Sequence, residues 1–194
     1  MNYRHAFHAG NHADCLKHAL LISLLAALKR KPTPFAVLDT HAGCGIYDLA
    51  ATEAARTGEA ARGALRVADS TAPALTPFLE ALKQAGFPAL YPGSPALIRA
   101  ALRPQDRLMA VELHPEDHAR LKAHFKHDAQ VAVHKRDAWE ALRALTPFPE
   151  KRGLVVTNPP QGFAEDAAEI LPALLRGLGA DEPGVGCAVT WLKP

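Results

Sequence analysis

The chain has 194 residues, of which 48% are hydrophobic, so it can bury one substantial core and is expected to form a single domain over residues 1–194. The formal charge of +2 excludes a strong overall attraction to nucleic acid, although basic residues are locally dense. No leader is visible, no apolar stretch approaches the ~20 residues of a membrane span, and the three cysteines form no CxxC pair, so we expect a cytoplasmic protein.

The first half of the sequence begins with a helix and a short strand. Apolar residues recur at helical spacing over residues 14–29, which predicts a helix with a basic end. The run 35–39 predicts a strand that ends in an acid, and the glycine-containing turn 40–45 that follows is typical of a nucleotide-binding βα unit. Residues 47–90 are predicted to form a small inserted subdomain of short helices.

Strands and helices alternate through the second half. Strands are predicted at residues 108–112, 131–134, 153–157 and 186–192, and helices at 115–125, 138–145 and 165–178. Such alternation is typical of a mostly parallel sheet that is covered by helices on both faces. The predicted fold class is therefore α/β, with a Rossmann-like sheet.

Three acids occupy matching places after three successive strands: Asp39, Glu112 and Asp137. In folds of this kind an acid after the second strand accepts hydrogen bonds from ribose hydroxyls, and an acid near the third can accept one from an adenine amino group. The sequence has no GxGxxG or GK[ST] signature, and acids around a pocket repel phosphates but suit a sulfonium cation. S-adenosylmethionine therefore fits better than NAD. The alternative is that these acids are only caps and turn formers.

The tetrapeptide Asn158-Pro159-Pro160-Gln161 follows an apolar run, at the strand end where ligands bind in open α/β sheets. Enzymes that methylate an exocyclic amine hold their target with Asn or Asp, then Pro-Pro and an aromatic residue. Gln161 stands in the place of the aromatic residue. Asn158 is the candidate catalytic residue, because its side-chain oxygen can accept a hydrogen bond from the target amine.

Several histidines have spacings that are seen in metal sites. They are His5, His8 and His12 in one group and His114 and His118 in another. A zinc site needs three or four convergent ligands, and no such set is evident. No metal is predicted.

The opening segment 3–14, with Leu16-Lys17-His18 after it, closely resembles the start of the RlmJ family. These S-adenosylmethionine-dependent methyltransferases act on adenine N6 of large-subunit ribosomal RNA. The resemblance continues at residues 38–43, 56–59, 91–95, 112–115 and 152–154. It implies a monomer, a Tyr3 that faces the substrate RNA, and a set of cofactor-binding residues. That set comprises Lys17, His18, His41, Ser94, Glu112, Asp137 and Ala138.

The sequence departs from the family pattern after residue 154. The family carries a catalytic Asp-Pro-Pro-Tyr after its fourth strand and a second Asn-Pro-Pro-aromatic motif much later. The residues after Asn158 resemble the later segment, so the chain is predicted to lack an internal segment that holds the catalytic motif and the following strands. A sheet with missing strands exposes an edge, which homodimerisation would cover. Two functions remain open: an active adenine-N6 methyltransferase, and an inactive domain that binds the cofactor and RNA.

Overall fold

The structure is a computed structural model that describes residues 5–158. Its strands are β1 (Ala36–Asp39), β2 (Ile46–Asp48), β3 (Leu90–Pro92), β4 (Arg107–Val111), β5 (Val131–His134) and β6 (Gly153–Val156). Its α-helices are α1 (His12–Lys29), α2 (Thr52–Thr57), α3 (Glu59–Arg62), α4 (Ala64–Val67), α5 (Thr76–Gln84), α6 (Ser94–Ala101), α7 (Pro115–His124) and α8 (Ala138–Leu145). Short 3-10 turns lie at His5–Phe7 and Pro73–Leu75.

Within residues 5–158 the central sheet has four parallel strands in the order β5-β4-β1-β6. The chain moves outward from β1 to β4 and β5, and then returns to the other side of β1 as β6. The strand order therefore reverses between β1 and β6, and ligands of open α/β sheets bind at the carboxyl ends of the strands at such a point. The predicted α/β class with a mostly parallel sheet is confirmed.

Helices cover both faces of this sheet. Successive residues of β1 are buried on opposite faces, as the twofold period of a strand requires. Val37 packs into a cluster with Leu25 of α1 and Ile98 of α6, whereas Leu38 packs into a cluster with Leu142 of α8. β1 is thus buried throughout and forms a rigid support for the residues at its carboxyl end.

The segment between β1 and β4 contains the predicted short helices and three elements that the sequence did not predict, β2, β3 and α6. The helices α2 to α5 are framed by an antiparallel pair of β2 with β3, and α6 follows β3. Strands of three residues are too short to show a period, and α6 carries a proline in its first turn. A second apolar cluster that includes Tyr47, Phe78 and Tyr91 holds this region together. Its division from the rest of the chain as a subdomain stays a prediction.

Several predictions concern residues outside the described range 5–158. They are the helix 165–178, the strand 186–192, the substrate-facing Tyr3, and the Pro159, Pro160 and Gln161 of the tetrapeptide. Of the helices in residues 5–158, none has the length and apolar character to cross a membrane.

Candidate active site

Asp39 ends β1 and is only 1% exposed. The Ser94 hydroxyl, at the start of α6, donates a hydrogen bond to Asp39 Oδ2 at 2.6 Å, and the backbone N–H of His41 donates to Oδ1 at 3.3 Å. Burial raises the pKa of Asp39 to about 6 in spite of these donors. Burial therefore disfavours the ionised form of this carboxyl more than its donors favour it, and a cation nearby would stabilise that form.

Glu112 follows β4 and holds the glycine turn after β1. Its Oε2 accepts the backbone N–H of Gly43 at 2.8 Å, and its Oε1 accepts the backbone N–H of His114 at 2.7 Å. Gly43 has φ +63°, and a Cβ at this position would lie 2.0 Å from the Tyr47 hydroxyl oxygen, so only glycine fits. Each carboxylate oxygen has two lone pairs, so Glu112 can still accept hydrogen bonds from ribose hydroxyls.

Asp137 and Ala138 lie where β5 leads into α8. Asp137 is the N-cap of α8, and its Oδ1 accepts the backbone N–H groups of Trp139 and Glu140. Asp137 therefore does cap a helix, which is the alternative role that the sequence allowed for these acids. It uses one carboxylate oxygen only, because Oδ2 accepts no hydrogen bond within residues 5–158.

Asn158 lies at the carboxyl end of β6, next to the turn after β1. Its backbone N–H donates to His41 Nδ1 at 3.4 Å. The Thr40 hydroxyl oxygen lies 2.9 Å from the same Nδ1, and the Thr40 backbone N–H donates to the Val156 carbonyl at 3.0 Å. Burial lowers the pKa of His41 to about 4, so the ring is neutral at pH 7. His41 and Asn158 thus meet at the point where the strand order reverses.

Lys17 and His18 lie on α1, beside a buried carboxylate that the sequence analysis missed. Asp14 is 0% exposed, and its Oδ1 lies 2.9 Å from Lys17 Nζ. Its Oδ2 lies 2.9 Å from His5 Nε2 and accepts the Gly10 backbone N–H at 3.0 Å. Burial alone would raise the pKa of Asp14, but the nearby His5, His18 and Lys17 outweigh it and hold the pKa well below its usual range.

The Lys17 ammonium group acts on the residues at the end of β1 as well as on Asp14. Its charge favours the ionised form of Asp39 and the neutral form of His41, although burial is the larger influence on both pKa values. His18 is also buried, and its Nδ1 lies 2.8 Å from the Tyr91 hydroxyl oxygen. Burial lowers the pKa of His18 to about 4.

The histidines with metal-like spacings do not converge. Within residues 5–158 no group of three or more His, Cys, Asp or Glu side chains could hold a metal ion. His114 is the N-cap residue of α7 and precedes its first turn, whereas His118 lies inside that helix. His5 and His8 instead contact the carboxylates of Asp14 and Glu59.

Comparison with known proteins matches most of the chain. The family model described as "Ribosomal RNA large subunit methyltransferase D, RlmJ" matches residues 32–192. Two curated proteins named "Ribosomal RNA large subunit methyltransferase J" are similar. That of Escherichia coli K12 is 39% identical over 182 residues, and that of Haemophilus influenzae is 37% identical over 183 residues. Each alignment covers 91% of this chain and 65% of the relative.

A solved structure is similar over the same extent. Protein LPL1258 from Legionella pneumophila has a TM-score of 0.77 and 34% identity, over 89% of this chain and 65% of that chain. The chain therefore spans slightly less than two thirds of the length of these relatives, and the absence of an internal segment stays a prediction. The family model, the two curated relatives and the α/β fold together show that the chain belongs to the RlmJ family of large-subunit ribosomal RNA methyltransferases.

Proposed function

We propose that this chain uses S-adenosylmethionine to methylate the N6 amine of an adenine in large-subunit ribosomal RNA. The observation that carries the proposal is the group of acids at the carboxyl ends of β1, β4 and β5. They lie around a turn in which Gly43 brings the backbone close without a Cβ. Acids in this arrangement favour a ligand that is cationic and carries a ribose, rather than a phosphate-bearing cofactor.

The described residues would bind two parts of such a cofactor, its adenosine and its amino-acid chain with the sulfonium. Glu112 would accept hydrogen bonds from the ribose hydroxyls, and Asp137 with Ala138 would hold the adenine. The amino-acid and sulfonium part would lie near the end of β1, where Asp39 is buried beside Ser94. A cation there would stabilise the ionised Asp39 that burial disfavours. His41, Lys17 and His18 complete the group of cofactor-binding residues in this proposal.

Asn158 is the residue that we propose to orient the target amine. The adenine amine is a weak nucleophile, and the Asn158 side-chain oxygen together with a backbone carbonyl would accept its two N–H groups. Positioning of this kind supplies several kcal/mol, and up to ~7–11 kcal/mol in well-oriented cases. The bound cofactor would supply the methyl group: the nitrogen–carbon bond forms as the carbon–sulfur bond breaks, which leaves a thioether and releases one amine proton to water.

Exposed lysines near His118, a residue that the charge of Glu112 also influences, support RNA as the substrate. The Glu112 backbone N–H donates to the His134 carbonyl at 3.0 Å, so Lys135 follows directly beside the end of β4. Lys122 and Lys135 are both exposed, and both act with burial to lower the pKa of His118. Neither lysine forms an ion pair with a carboxylate of residues 5–158. Exposed ammonium groups on this surface suit RNA phosphates.

Transfer of a labelled methyl group tests this function. The cofactor, labelled in its methyl group, is incubated with the protein and unmodified large-subunit ribosomal RNA, while calorimetry measures cofactor binding separately. We expect incorporation by the natural chain and a loss of about 100-fold or more in Asn158→Ala. Cofactor binding without any incorporation would refute the enzymatic proposal and identify the inactive alternative.

A further inference from the structure

His18 forms a buried pair with Tyr91, a residue to which the sequence analysis gave no role. Tyr91 lies in β3 and is 0% exposed, and His18 in α1 is 5% exposed. The Tyr91 hydroxyl oxygen lies 2.8 Å from His18 Nδ1, across 73 positions of sequence. The two rings are stacked, with centroids 5.6 Å apart. The segment between β1 and β4 therefore contacts the proposed cofactor residue on α1 directly.

The chemistry of this contact fixes where the proton lies. The Tyr91 hydroxyl is protonated, because burial raises its pKa well above the usual value. Besides His18, the Cys15 thiol lies within hydrogen-bonding reach of this hydroxyl and competes as its partner. An imidazole nitrogen is a much better acceptor than a thiol sulfur, so the Tyr91 hydroxyl donates to His18 Nδ1. The thiol has its own acceptor, the Gly10 carbonyl at 3.9 Å.

His18 then has one remaining donor. Burial lowers its pKa to about 4, so at pH 7 the ring is neutral and carries a single proton. With Nδ1 acting as an acceptor, that proton lies on Nε2. This nitrogen makes no hydrogen bond within residues 5–158, and it keeps accessible surface. A buried imidazole with an unused N–H donor fits a ligand that brings an acceptor.

His41 has the same arrangement. Its Nδ1 lies 3.4 Å from the Asn158 backbone nitrogen, whose N–H can only donate, and 2.9 Å from the Thr40 hydroxyl, which can donate either to it or to the Val156 carbonyl, so this nitrogen acts as an acceptor. The proton of the neutral His41 therefore also lies on Nε2. Two of the proposed cofactor residues thus present the same kind of group, although each is fixed by a different neighbour.

We infer that Tyr91 is a positioning residue, whose hydroxyl holds His18 in the tautomer that donates from Nε2 to an acceptor group of the cofactor. A carboxylate such as that of the amino-acid part of S-adenosylmethionine is the ligand chemistry that two neutral N–H donors suit. The identity of the ligand rests on the proposed function, but the tautomer does not. Tyr91 touches no ligand in this account and acts only through His18.

The test is nitrogen NMR of the ¹⁵N-histidine-labelled protein at pH 7.5, with and without Tyr91→Phe. The His18 signal among the ten histidines is identified by its absence in His18→Gln. In the natural chain we expect protonated Nε2 and bare Nδ1. In Tyr91→Phe, which keeps the ring, we expect the two nitrogen shifts to move toward each other, because the tautomer is no longer fixed. Cofactor binding should weaken by about 3- to 10-fold, the effect of one lost hydrogen bond.

Phe78→Leu is the matched control, because Phe78 is buried in the same cluster as Tyr91. It should lower the melting temperature but leave the His18 tautomer unchanged. A proton on Nδ1 in the natural chain, or an unchanged tautomer in Tyr91→Phe, would overturn the inference. The expected tautomer in a protein that does not bind the cofactor would refute the proposed function instead.

Discussion

We expect Asp39 to make the binding of a cationic cofactor dependent on pH. Its carboxyl is 1% exposed at the end of β1, and burial raises its pKa to about 6. In the proposed site the ionised form of Asp39 attracts the cofactor, whereas the protonated form does not. Affinity should therefore rise with pH as Asp39 ionises, and should level off above the pKa.

The size of this effect follows from the ionised fraction of Asp39. With a pKa of about 6, roughly a tenth of the protein is ionised at Asp39 at pH 5, and nearly all of it at pH 7.5. The apparent dissociation constant equals the intrinsic constant divided by the fraction of protein in which Asp39 is ionised. Binding should therefore be about tenfold weaker at pH 5. Burial holds the pKa values of His18 and His41 at about 4, so these rings remain neutral across this range.

Isothermal titration of S-adenosylmethionine between pH 5 and pH 7.5 measures this dependence. Asp39→Asn keeps an oxygen that accepts the Ser94 hydroxyl but has no charge to lose, so its affinity should be low and independent of pH. Asp48→Asn, which changes an exposed carboxylate outside the site, should retain the tenfold rise. An equal rise in Asp39→Asn, or no rise in the natural chain, would refute the role of Asp39.

Three further predictions concern the site and its surroundings. Glu112→Ala should weaken cofactor binding by about 100-fold or more, since it removes a charged acceptor of the ribose, and calorimetry measures the loss. Asp14→Asn should lower the free energy of unfolding by about 3 kcal/mol at pH 7, because it leaves partner charges uncompensated. Because the pKa of Asp14 is held below its usual value, its contribution to stability is present above about pH 4 and is lost progressively as the pH falls further. Urea unfolding at several pH values measures this dependence. Lys122→Glu with Lys135→Glu should weaken RNA binding and reduce the slope of log Kd against log salt by about 1.4.

The lysine prediction has a matched comparison, and each of the three predictions has an outcome that would contradict it. Lys29→Glu with Lys31→Glu makes the same change of charge at the end of α1, near the amino ends of the strands, and should leave RNA affinity nearly unchanged. Equal losses in the two double variants would mean that net charge, and not the surface beside Glu112, determines binding. Undiminished cofactor affinity in Glu112→Ala would contradict its ribose role. A stability difference for Asp14→Asn that does not shrink between pH 5 and pH 2 would contradict the ionic account.

The sequence predicted the strands of the site and the acids at their ends, because apolar runs and the residues that follow them are local features. Each strand of the central sheet is an apolar run, and the acids Asp39 and Glu112 stand directly after two such runs. Parallel pairing then brings these strand ends together, as the register of β1 with β4 shows. The antiparallel pair of β2 with β3 was missed because three residues give no period.

The contacts that fix side chains in the site could not be predicted from the sequence. Tyr91 meets His18 across 73 positions, and the Thr40 hydroxyl lies 3.3 Å from the Val156 carbonyl across 116 positions. No local pattern records such pairs, because they exist only after the sheet has formed. Asp137 shows a second limit: a carboxylate that caps a helix and one that binds an adenine have the same sequence context.

The central claim is that this chain methylates adenine, and the most direct measurement is of the RNA product itself. Unmodified large-subunit ribosomal RNA is treated with the protein and S-adenosylmethionine, digested to nucleosides, and analysed by mass spectrometry. The account predicts N6-methyladenosine that requires the cofactor and is lost in Asn158→Ala. A protein that binds the cofactor at the site of Asp39 and Glu112, yet leaves the adenines of the RNA unmethylated, would contradict it.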